Sequence, residues 1–517
     1  MKHDNILKPF GKIASKNPNL IALSVDGCDY TYGELLLKVQ TIAGWINLNT
    51  LSSSKRVGIL SSREFNGFAA VYACVWGGFT FVPLNPKLPV TRLKKIIQRA
   101  NLGAVVYDEN CSEIFNDISC EKNYLPAFCL NNEIVSDKNS EEMPVIEPVD
   151  VEETQGAYLM FTSGTTGEPK GILATVKNLS HYLAFMQRRY NIKTNDRLSQ
   201  VFELSFDAAT FDLFMSVNHG ASFHVVPESQ LLAPGLFIKD KKLTLWFGVP
   251  SHIAYMDKMR ILKPGIFPEL RISIFGGEPL SVSSMKAWRL AAHNSIMDNV
   301  YGPTEATVTC FVQRCDELTP ITSERSVMSI GQPYTGMYGA IVDQSASFLP
   351  SGTKGELVIA GPQLTSGYWQ DERLTGLRFR VLDHPKFGRH RWYFTGDWAY
   401  EDENDTFHHL GRMDNQIKLS GHRVELEEID AALKEASGSE IVASVAWPME
   451  QGSARGIVAF ICDSKRDLAV IREKMLDILP QYMVPRRFIL SESLPYTLNG
   501  KVDRKLLAEK LEKEVKH

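Results

Sequence analysis

The sequence lacks a strong charge of either sign, paired cysteines and a long apolar run, and each lack excludes a class of protein. Its net charge of −4 over 517 residues argues against nucleic acid or an anionic membrane as the main partner. None of its 8 cysteines forms a CxxC pair, so neither a zinc site nor a disulfide framework is indicated. The first residues show no apolar core of a secretory signal. We therefore expect a cytoplasmic protein with free thiols.

One uncharged stretch, from Gly67 to Leu84, approaches the length of a membrane helix. Two glycines, Gly77 and Gly78, interrupt this stretch. The β-branched and aromatic residues at 79–82 before Pro83 are typical of a strand. The pattern predicts a buried helix followed by a core strand, and no membrane span.

Apolar residues make up 44% of the chain and charged residues 22%, the balance of an ordinary globular protein. Short β-branched runs alternate with helical patterns, which predicts an α/β fold of mixed sheets flanked by helices. The pattern changes near residue 412, where a strand at Gln416–Leu419, a turn at Gly421 and an amphipathic helix from Glu427 follow one another. We predict a large domain at residues 1–413 and a small α+β domain at 414–517, a normal domain size.

The strongest chemical signal is a loop rich in glycine and hydroxyl groups that follows an apolar run at Ala157–Met160. It reads Phe161-Thr162-Ser163-Gly164-Thr165-Thr166-Gly167-Glu168-Pro169-Lys170-Gly171. Glycines let a backbone approach an anion closely, hydroxyls donate hydrogen bonds, and Lys170 adds a positive charge. The spacing does not fit the Walker pattern, which needs Gly-Lys followed by Ser or Thr. The loop is therefore predicted to hold phosphates in another way.

This loop resembles the phosphate loop of the adenylate-forming superfamily, which includes acyl-CoA synthetases, luciferases and nonribosomal peptide synthetase adenylation domains. The resemblance continues in order along nearly the whole chain. It covers an adenine and metal segment, a ribose segment, a hinge segment and a catalytic-lysine segment, at residues 299–306, 393–397, 411–418 and 498–504. A small C-terminal domain that moves about the hinge is implied by the same resemblance.

The resemblance implies an ATP site with Mg²⁺. By that match Tyr301 stacks on adenine, Glu305 helps to hold Mg²⁺, and Asp397 and Arg412 contact the ribose. Asp414 is the expected hinge residue. The nucleotide-binding residues implied as a set are Thr162, Ser163, Gly164, Thr165, Thr166, Gly167, Gly277, Glu278, Tyr301, Gly302, Thr304, Asp397 and Arg412.

The implied reaction joins two anions, because a carboxylate attacks the α-phosphate of ATP and pyrophosphate leaves. Charge neutralisation and alignment must then supply most of the catalysis. Lys501, after the Asn499-Gly500 turn, is expected to bridge the carboxylate and the α-phosphate. Lys170 and Mg²⁺ are expected to stabilise the departing pyrophosphate. These two lysines are the predicted catalytic residues.

Asp207 bears on the choice of acid. In amino-acid-activating members the matching carboxylate pairs with the substrate ammonium, and a carboxylate beside an apolar pocket favours a cationic partner. The family pattern also nominates the residues around the substrate, which are Phe206, Ala208, Phe211, Phe247, Ile274, Gly276, Val300, Val308 and Thr309. None of these is charged, so an ionic side chain would be left without a partner. We predict isoleucine, valine or leucine first and alanine next.

The expected acceptor is the phosphopantetheine thiol of a separate carrier protein, because the chain ends at His517, 16 residues beyond Lys501. Residues 416–429 also resemble the D-alanine–carrier protein ligases, which tend to have a cysteine where this chain has Gly276. That ligase activity is the main alternative. Further alternatives are an acyl-CoA or acyl-carrier ligase for a non-amino acid, and a non-catalytic binding protein, against which the four residues Lys170, Glu305, Asp397 and Lys501 argue.

Overall fold

A computed structural model of the chain describes residues 2–119, 125–131, 145–164, 168–419, 421–450, 453–496 and 502–516. Across these ranges, no helix combines the length and the apolar character that crossing a membrane requires. The seven cysteines that fall in the described ranges are all free thiols.

The α-helices are numbered α1 to α14 along the described chain. They are α1 Lys8–Lys16, α2 Tyr32–Asn49, α3 Phe65–Trp76, α4 Val90–Ala100, α5 Ser112–Ser119, α6 Val176–Tyr190, α7 Ala209–Val217, α8 Gly235–Asp240, α9 Pro250–Lys258, α10 Val282–Ala291, α11 Glu372–Arg378, α12 Leu426–Ser437, α13 Leu468–Ile478 and α14 Arg504–Lys516.

The strands are numbered in the same way. They are β1 Lys2–His3, β2 Ile21–Val25, β3 Cys28–Thr31, β4 Arg56–Leu60, β5 Thr80–Leu84, β6 Ala104–Tyr107, β7 Ala127–Cys129, β8 Val151–Glu152, β9 Gly156–Thr162, β10 Lys170–Thr175, β11 Arg197–Gln200, β12 Ser222–Val225, β13 Leu245–Gly248, β14 Ile272–Phe275, β15 Ile296–Tyr301, β16 Phe311–Arg314, β17 Ile321–Thr322, β18 Val327–Met328, β19 Gln332–Pro333, β20 Tyr338–Val342, β21 Gly355–Ala360, β22 Phe379–His384, β23 Gly388–Glu401, β24 Phe407–Arg412, β25 Gln416–Leu419, β26 His422–Glu425, β27 Val442–Ala446, β28 Met449–Glu450, β29 Ser453–Ala454, β30 Ile457–Ile461 and β31 Arg487–Leu490.

Two large sheets enclose helix α3. One has six strands in the order β10-β9-β5-β4-β6-β7, and the other has nine in the order β19-β16-β15-β14-β13-β11-β12-β2-β3. Every residue of α3 from Gly67 to Trp76 is buried, and Phe68 packs edge-on against Phe223 of the nine-stranded sheet. Strand β5, which follows at Thr80–Leu84, is also buried throughout. The helix-then-strand prediction for the uncharged stretch is therefore confirmed, and its apolar character comes from burial between sheets.

The parallel strands position the functional segments. Strands β12, β11, β13, β14 and β15 run parallel to one another in the nine-stranded sheet. Loops that follow the carboxyl ends of parallel strands gather at one edge of a sheet, where open α/β sheets bind ligands. The segments predicted from the sequence at 202–211, 276–278 and 301–305 leave β11, β14 and β15 at this edge. The mixed α/β fold predicted from the sequence is confirmed.

The C-terminal part of the chain has cores of its own. It contains a four-stranded sheet, β26-β25-β29-β28, and a three-stranded sheet, β27-β30-β31. Its two buried apolar clusters draw on residues 417–488 and 443–511, and the clusters of the preceding chain stop at Phe407. We therefore propose residues 1–413 as the large domain and 414–517 as the small domain, and use these names below.

Candidate active site

A cavity of about 460 Å³ lies between the sheet edge of the large domain and the hairpin β25–β26 of the small domain. Its size suits a nucleotide-sized ligand. The residues predicted from the sequence that line it are Thr162, Ser163, Phe206, Asp207, Ala208, Phe247, Gly276, Gly277, Glu278, Val300, Tyr301, Gly302, Thr304, Val308, Thr309, Asp397 and Arg412.

Four predicted residues lie outside the part of the chain that the structure describes. They are Thr165, Thr166 and Gly167 of the phosphate loop, and Lys501. Their roles stay predictions from the sequence.

The phosphate loop connects two antiparallel strands, β9 and β10, whose register pairs Thr162 with Lys170. The described loop residues contact the small domain. The Ser163 hydroxyl donates to the Arg423 carbonyl oxygen at 2.7 Å, and the Gly164 N–H donates to Glu428 Oε2 at 3.3 Å. Lys170 Nζ lies 3.2 Å from Glu425 Oε1. Each of these groups is the kind of donor that binds a phosphate oxygen.

The ribose segment forms a tight polar cluster around Asp397. This carboxylate accepts hydrogen bonds from the Tyr301 hydroxyl, from Arg412 Nη1 at 3.1 Å and from His409 Nε2 at 3.1 Å. Burial alone would raise the pKa of Asp397, but the Arg412 guanidinium and His409 hold it well below its usual range. Asp397 is therefore an anion that can accept from sugar hydroxyls at neutral pH.

Arg412 links the ribose segment to the predicted hinge. Its Nε donates to Asp414 Oδ1 at 2.8 Å while its Nη1 reaches Asp397. Asp414 itself lies outside the cavity lining found among the described residues. The two carboxylates thus share one guanidinium, on either side of the proposed domain boundary.

Glu278, predicted for the nucleotide site, is tied to both domains. Its carboxylate accepts from the Ser251 N–H at 3.0 Å and from the Gly421 N–H at 2.8 Å. Both bonds come from backbone groups, so they hold the carboxylate without neutralising it. Glu278 therefore fixes the hairpin turn at Gly421 over the cavity.

Asp207 stands at the apolar end of the cavity. Its Oδ2 is buried and has no hydrogen-bond partner within the described ranges. Burial raises the pKa of Asp207, opposed by a hydrogen bond from Thr304 and by the charge of Lys418. A buried carboxylate oxygen without a partner is costly. Such a group is a strong indication of a cationic ligand.

The wall beside Asp207 is apolar. Ala208, Phe247, Gly276, Val300 and Val308 line it. The Thr309 hydroxyl is hydrogen-bonded to the Tyr334 hydroxyl at 2.7 Å, so it adds little polarity to this wall.

Two residues predicted to line this wall, Phe211 and Ile274, lie behind it. They are 1% and 0% exposed, and neither is among the described residues that line the cavity. The Phe211 ring packs edge-on against Phe247 with the ring centroids 5.5 Å apart. Sequence spacing does not show which ring covers another, and contact of these two residues with a substrate stays a prediction.

Glu305, the predicted Mg²⁺ ligand, is 1% exposed. It accepts from the Tyr368 hydroxyl at 2.7 Å and from Arg423 Nη1 at 3.0 Å. Burial would raise its pKa, but Arg423 and the Tyr368 hydrogen bond lower it to about 2. Among the described residues no group of three or more His, Cys, Asp or Glu is arranged to hold a metal ion. One anionic carboxylate beside the phosphate loop fits Mg²⁺ shared with phosphate oxygens, once Arg423 has left.

Lys418 is a cavity residue that the sequence reasoning did not assign to the site. It lines the cavity from strand β25. Burial and nearby Arg423 lower its pKa, while the charges of Asp397 and Asp207 raise it. The position of Lys418 in the hinge segment is the sequence feature that could have indicated it. Only the placement of the small domain shows that Lys418 lines the same cavity as Asp397 and Asp207.

A sequence profile of the family described as AMP-binding enzyme matches residues 10–369. The chain belongs to this family. Its members are adenylate-forming ligases, so the superfamily resemblance seen in the sequence is confirmed.

Three relatives of this AMP-binding enzyme show the range of the similarity. Gramicidin S synthase 1 of Brevibacillus brevis is 29% identical over 506 residues, which are 97% of this chain and 44% of that protein. The D-alanine–D-alanyl carrier protein ligase of Bacillus velezensis is 28% identical over 93% of this chain and 94% of its own. The Vibrio cholerae adenylation domain AlmE, solved with glycyl-adenosine-5′-phosphate, is 28% identical with a TM-score of 0.87, covering 99% of this chain and 98% of its own. The chain spans less than half the length of the curated relatives matched first.

Proposed function

We propose that this protein uses ATP to activate an amino acid as an aminoacyl-AMP, and then transfers the aminoacyl group to the phosphopantetheine thiol of a carrier protein. The observation that carries the amino-acid part is the buried Asp207 Oδ2, which has no partner in the described chain. An α-ammonium group would supply the missing donor and the missing charge. A fatty acid or an aryl acid would leave the carboxylate unpaired, at a cost of about 1–3 kcal/mol or more.

The side chain of the substrate is proposed to be aliphatic. The wall beside Asp207 offers no charge, and the one hydroxyl in it, that of Thr309, already bonds Tyr334. An ionic side chain would lose its hydration there without gaining a partner. Isoleucine, valine and leucine are the leading candidates, followed by alanine.

In the first step a substrate carboxylate oxygen bonds to the α-phosphorus of ATP, and the bond between the α-phosphorus and the bridging oxygen breaks to release pyrophosphate. Lys170 is proposed to bind the pyrophosphate oxygens, since its Nζ already holds an anionic oxygen at the loop. Asp397 is proposed to accept from the ribose hydroxyls, and Tyr301 to lie against the adenine. Lys501 is proposed to bridge the two reacting anions, a role predicted from the sequence alone.

Mg²⁺ held by Glu305 and the ATP phosphates would neutralise negative charge on the leaving group. In the arrangement seen here the Arg423 guanidinium neutralises Glu305 at 3.0 Å. Arg423 and a metal ion would compete for the same carboxylate, so the metal-bound state requires a different position of the Arg423 side chain.

The arrangement of the small domain supports the second step. Here the hairpin β25–β26 closes the cavity, and Lys418 lines it together with Asp397 and Asp207. In that step the thiol sulfur bonds to the carbonyl carbon of the adenylate, the bond from this carbon to the phosphate oxygen breaks, and AMP leaves while the thiol proton passes to solvent. We propose that Lys418 balances the negative charge of the departing AMP, because this basic side chain lines the cavity together with the ribose-binding carboxylate Asp397.

D-alanine is the second candidate substrate. The observation in its favour is the D-alanyl carrier protein ligase of Bacillus velezensis, which matches this chain over 94% of its own length. Ala208 and Gly276 in the wall are small and uncharged, which suits a small amino acid such as alanine.

The deciding experiment is ATP–pyrophosphate exchange with every proteinogenic amino acid, both enantiomers of alanine, and the deaminated analogues of the aliphatic acids. Exchange is expected with an aliphatic amino acid, and it is expected to be much slower with its deaminated analogue. Asp207→Ala is expected to reduce exchange with the amino acid by at least about 30-fold, equivalent to about 2 kcal/mol. It should change exchange with the deaminated analogue by less than about 3-fold. Exchange with a fatty acid and none of the amino acids would refute the proposal.

A further inference from the structure

His409 lies on strand β24, opposite the ribose segment of β23. The register of the two strands pairs Asp397 with Arg412 and Trp398 with Gly411, and then Ala399 with His409. Leu410 is therefore an extra residue, a β-bulge. A one-residue shift moves following side chains to the other face of a strand. The bulge thus places His409 on the same face as Asp397 and Arg412, and all three line the cavity.

A chain of hydrogen bonds runs from Arg325 through His409 to Asp397. Arg325 Nη1 lies 3.0 Å from His409 Nδ1, and His409 Nε2 lies 3.1 Å from Asp397 Oδ1. A guanidinium only donates, so Nδ1 must be the acceptor. The ring is then neutral with its proton on Nε2, and this proton is donated to the Asp397 carboxylate. Arg325 fixes the tautomer that Asp397 needs.

The hydrogen bond from His409 to Asp397 does not involve the predicted hinge residue Asp414. The cationic partner of Asp397, Arg412, also binds Asp414 at the proposed boundary, so its position is tied to the predicted hinge. Arg325 and His409 both belong to the large domain. The donor that His409 places on Asp397 Oδ1 therefore involves no residue of the small domain.

We propose that His409, with its tautomer fixed by Arg325, is a positioning residue that orients the Asp397 carboxylate toward the ribose hydroxyls of the nucleotide. This inference rests on the proposed role of Asp397 in the adenylate-forming reaction. It adds a residue pair that sets affinity for ribose without touching the phosphates or the amino acid.

The test is the affinity of the full chain for AMP and for 2′,3′-dideoxy-AMP, measured by titration calorimetry. His409→Phe keeps a ring beside Tyr301, whose ring centroid lies 5.9 Å away, and removes both hydrogen bonds. It is expected to weaken AMP binding roughly 10-fold, the effect of one lost bond to a charged group. Dideoxy-AMP, which has no ribose hydroxyls, should bind with an affinity changed by less than about 2-fold.

His409→Gln keeps one donor and one acceptor and should restore AMP affinity to within about 3-fold of the wild type. His408→Gln is the matched control, because His408 lies on the same strand but bonds Thr322 and Asp402 outside the cavity lining. It should leave both affinities unchanged.

An equal loss of AMP and dideoxy-AMP affinity in His409→Phe would show that the ring only packs, and would overturn the inference. Unchanged AMP affinity would overturn it as well. These titrations need no amino acid and no turnover. A wild-type protein that binds AMP with the expected pattern but exchanges pyrophosphate with no acid would therefore refute the proposed function and leave this inference standing.

Discussion

The ion pair between Arg92 and Glu428 should control how firmly the small domain docks. Arg92 lies on α4 of the large domain and Glu428 on α12 of the small domain, and their side chains are 9% and 1% exposed. Glu428 also accepts from the Gly164 N–H. Replacing Arg92 by Met leaves a buried carboxylate without its cation. Breaking a buried pair in this way costs about 3–5 kcal/mol.

That cost falls on the docked arrangement alone. A loss of about 3 kcal/mol corresponds to roughly 150-fold in the docking equilibrium. Arg92→Met is therefore expected to slow transfer of a preformed aminoacyl-adenylate to a phosphopantetheine thiol by roughly 100-fold in single-turnover experiments. ATP–pyrophosphate exchange should change by less than about 3-fold, since we assign neither Arg92 nor Glu428 a role in the proposed adenylation step.

Two variants sharpen this test. Arg99→Met, on the same helix, removes an exposed pair with Glu168 and should cost no more than about 1 kcal/mol. Arg92→Met combined with Glu428→Gln removes both charges and should recover most of the lost transfer rate. If Arg92→Met slows exchange and transfer equally, or slows neither, the reasoning about docking is wrong.

Two further predictions concern stability and the nucleotide loop. Burial and neighbouring cations lower the pKa of His224 to about 3, so the unfolded chain binds a proton at this residue before the folded protein does as the pH falls. The free energy of unfolding, measured by urea titration, should therefore drop by about 2 kcal/mol between about pH 7.5 and 5. The drop should be smaller in His224→Gln. Equal drops in both proteins would contradict this. In Gly302→Ala the new Cβ would lie 2.4 Å from Thr309 Cα, which should cost about 1–3 kcal/mol of stability and weaken AMP binding measured by calorimetry. Gly376→Ala, where no atom lies within 4 Å, is the control, and similar losses in both variants would argue against the steric explanation.

The sequence was sufficient for the parts of the fold that depend on local pattern. Alternation and turn residues predicted the strand at Gln416–Leu419 and the helix that begins near Glu427, and the structure has β25 and α12 there. The Gly77-Gly78 break likewise marked the end of the buried helix α3. These features depend on a few neighbouring residues, so a short window contains the information.

The candidate site was predicted in its list of residues but not in its contacts. Lys170 and Glu425 are separated by 255 positions in the sequence, and their contact depends on how one domain is placed on the other. The positions of Phe211 and Lys418 depend on packing in the same way. No periodicity in the sequence records which ring covers a pocket or which strand faces a cavity.

Two carboxylates of the small domain bind the phosphate loop: Glu425 accepts from Lys170, and Glu428 accepts from the Gly164 N–H. The single Gly164 N–H cannot donate to both Glu428 and a pyrophosphate oxygen, so pyrophosphate and the docked small domain would compete at this group. The two half-reactions would then follow a fixed order, because the small domain can dock on the phosphate loop only after pyrophosphate has left it. High pyrophosphate would in turn act as a competitive inhibitor of the thiol step, although it never enters the path of the thiol.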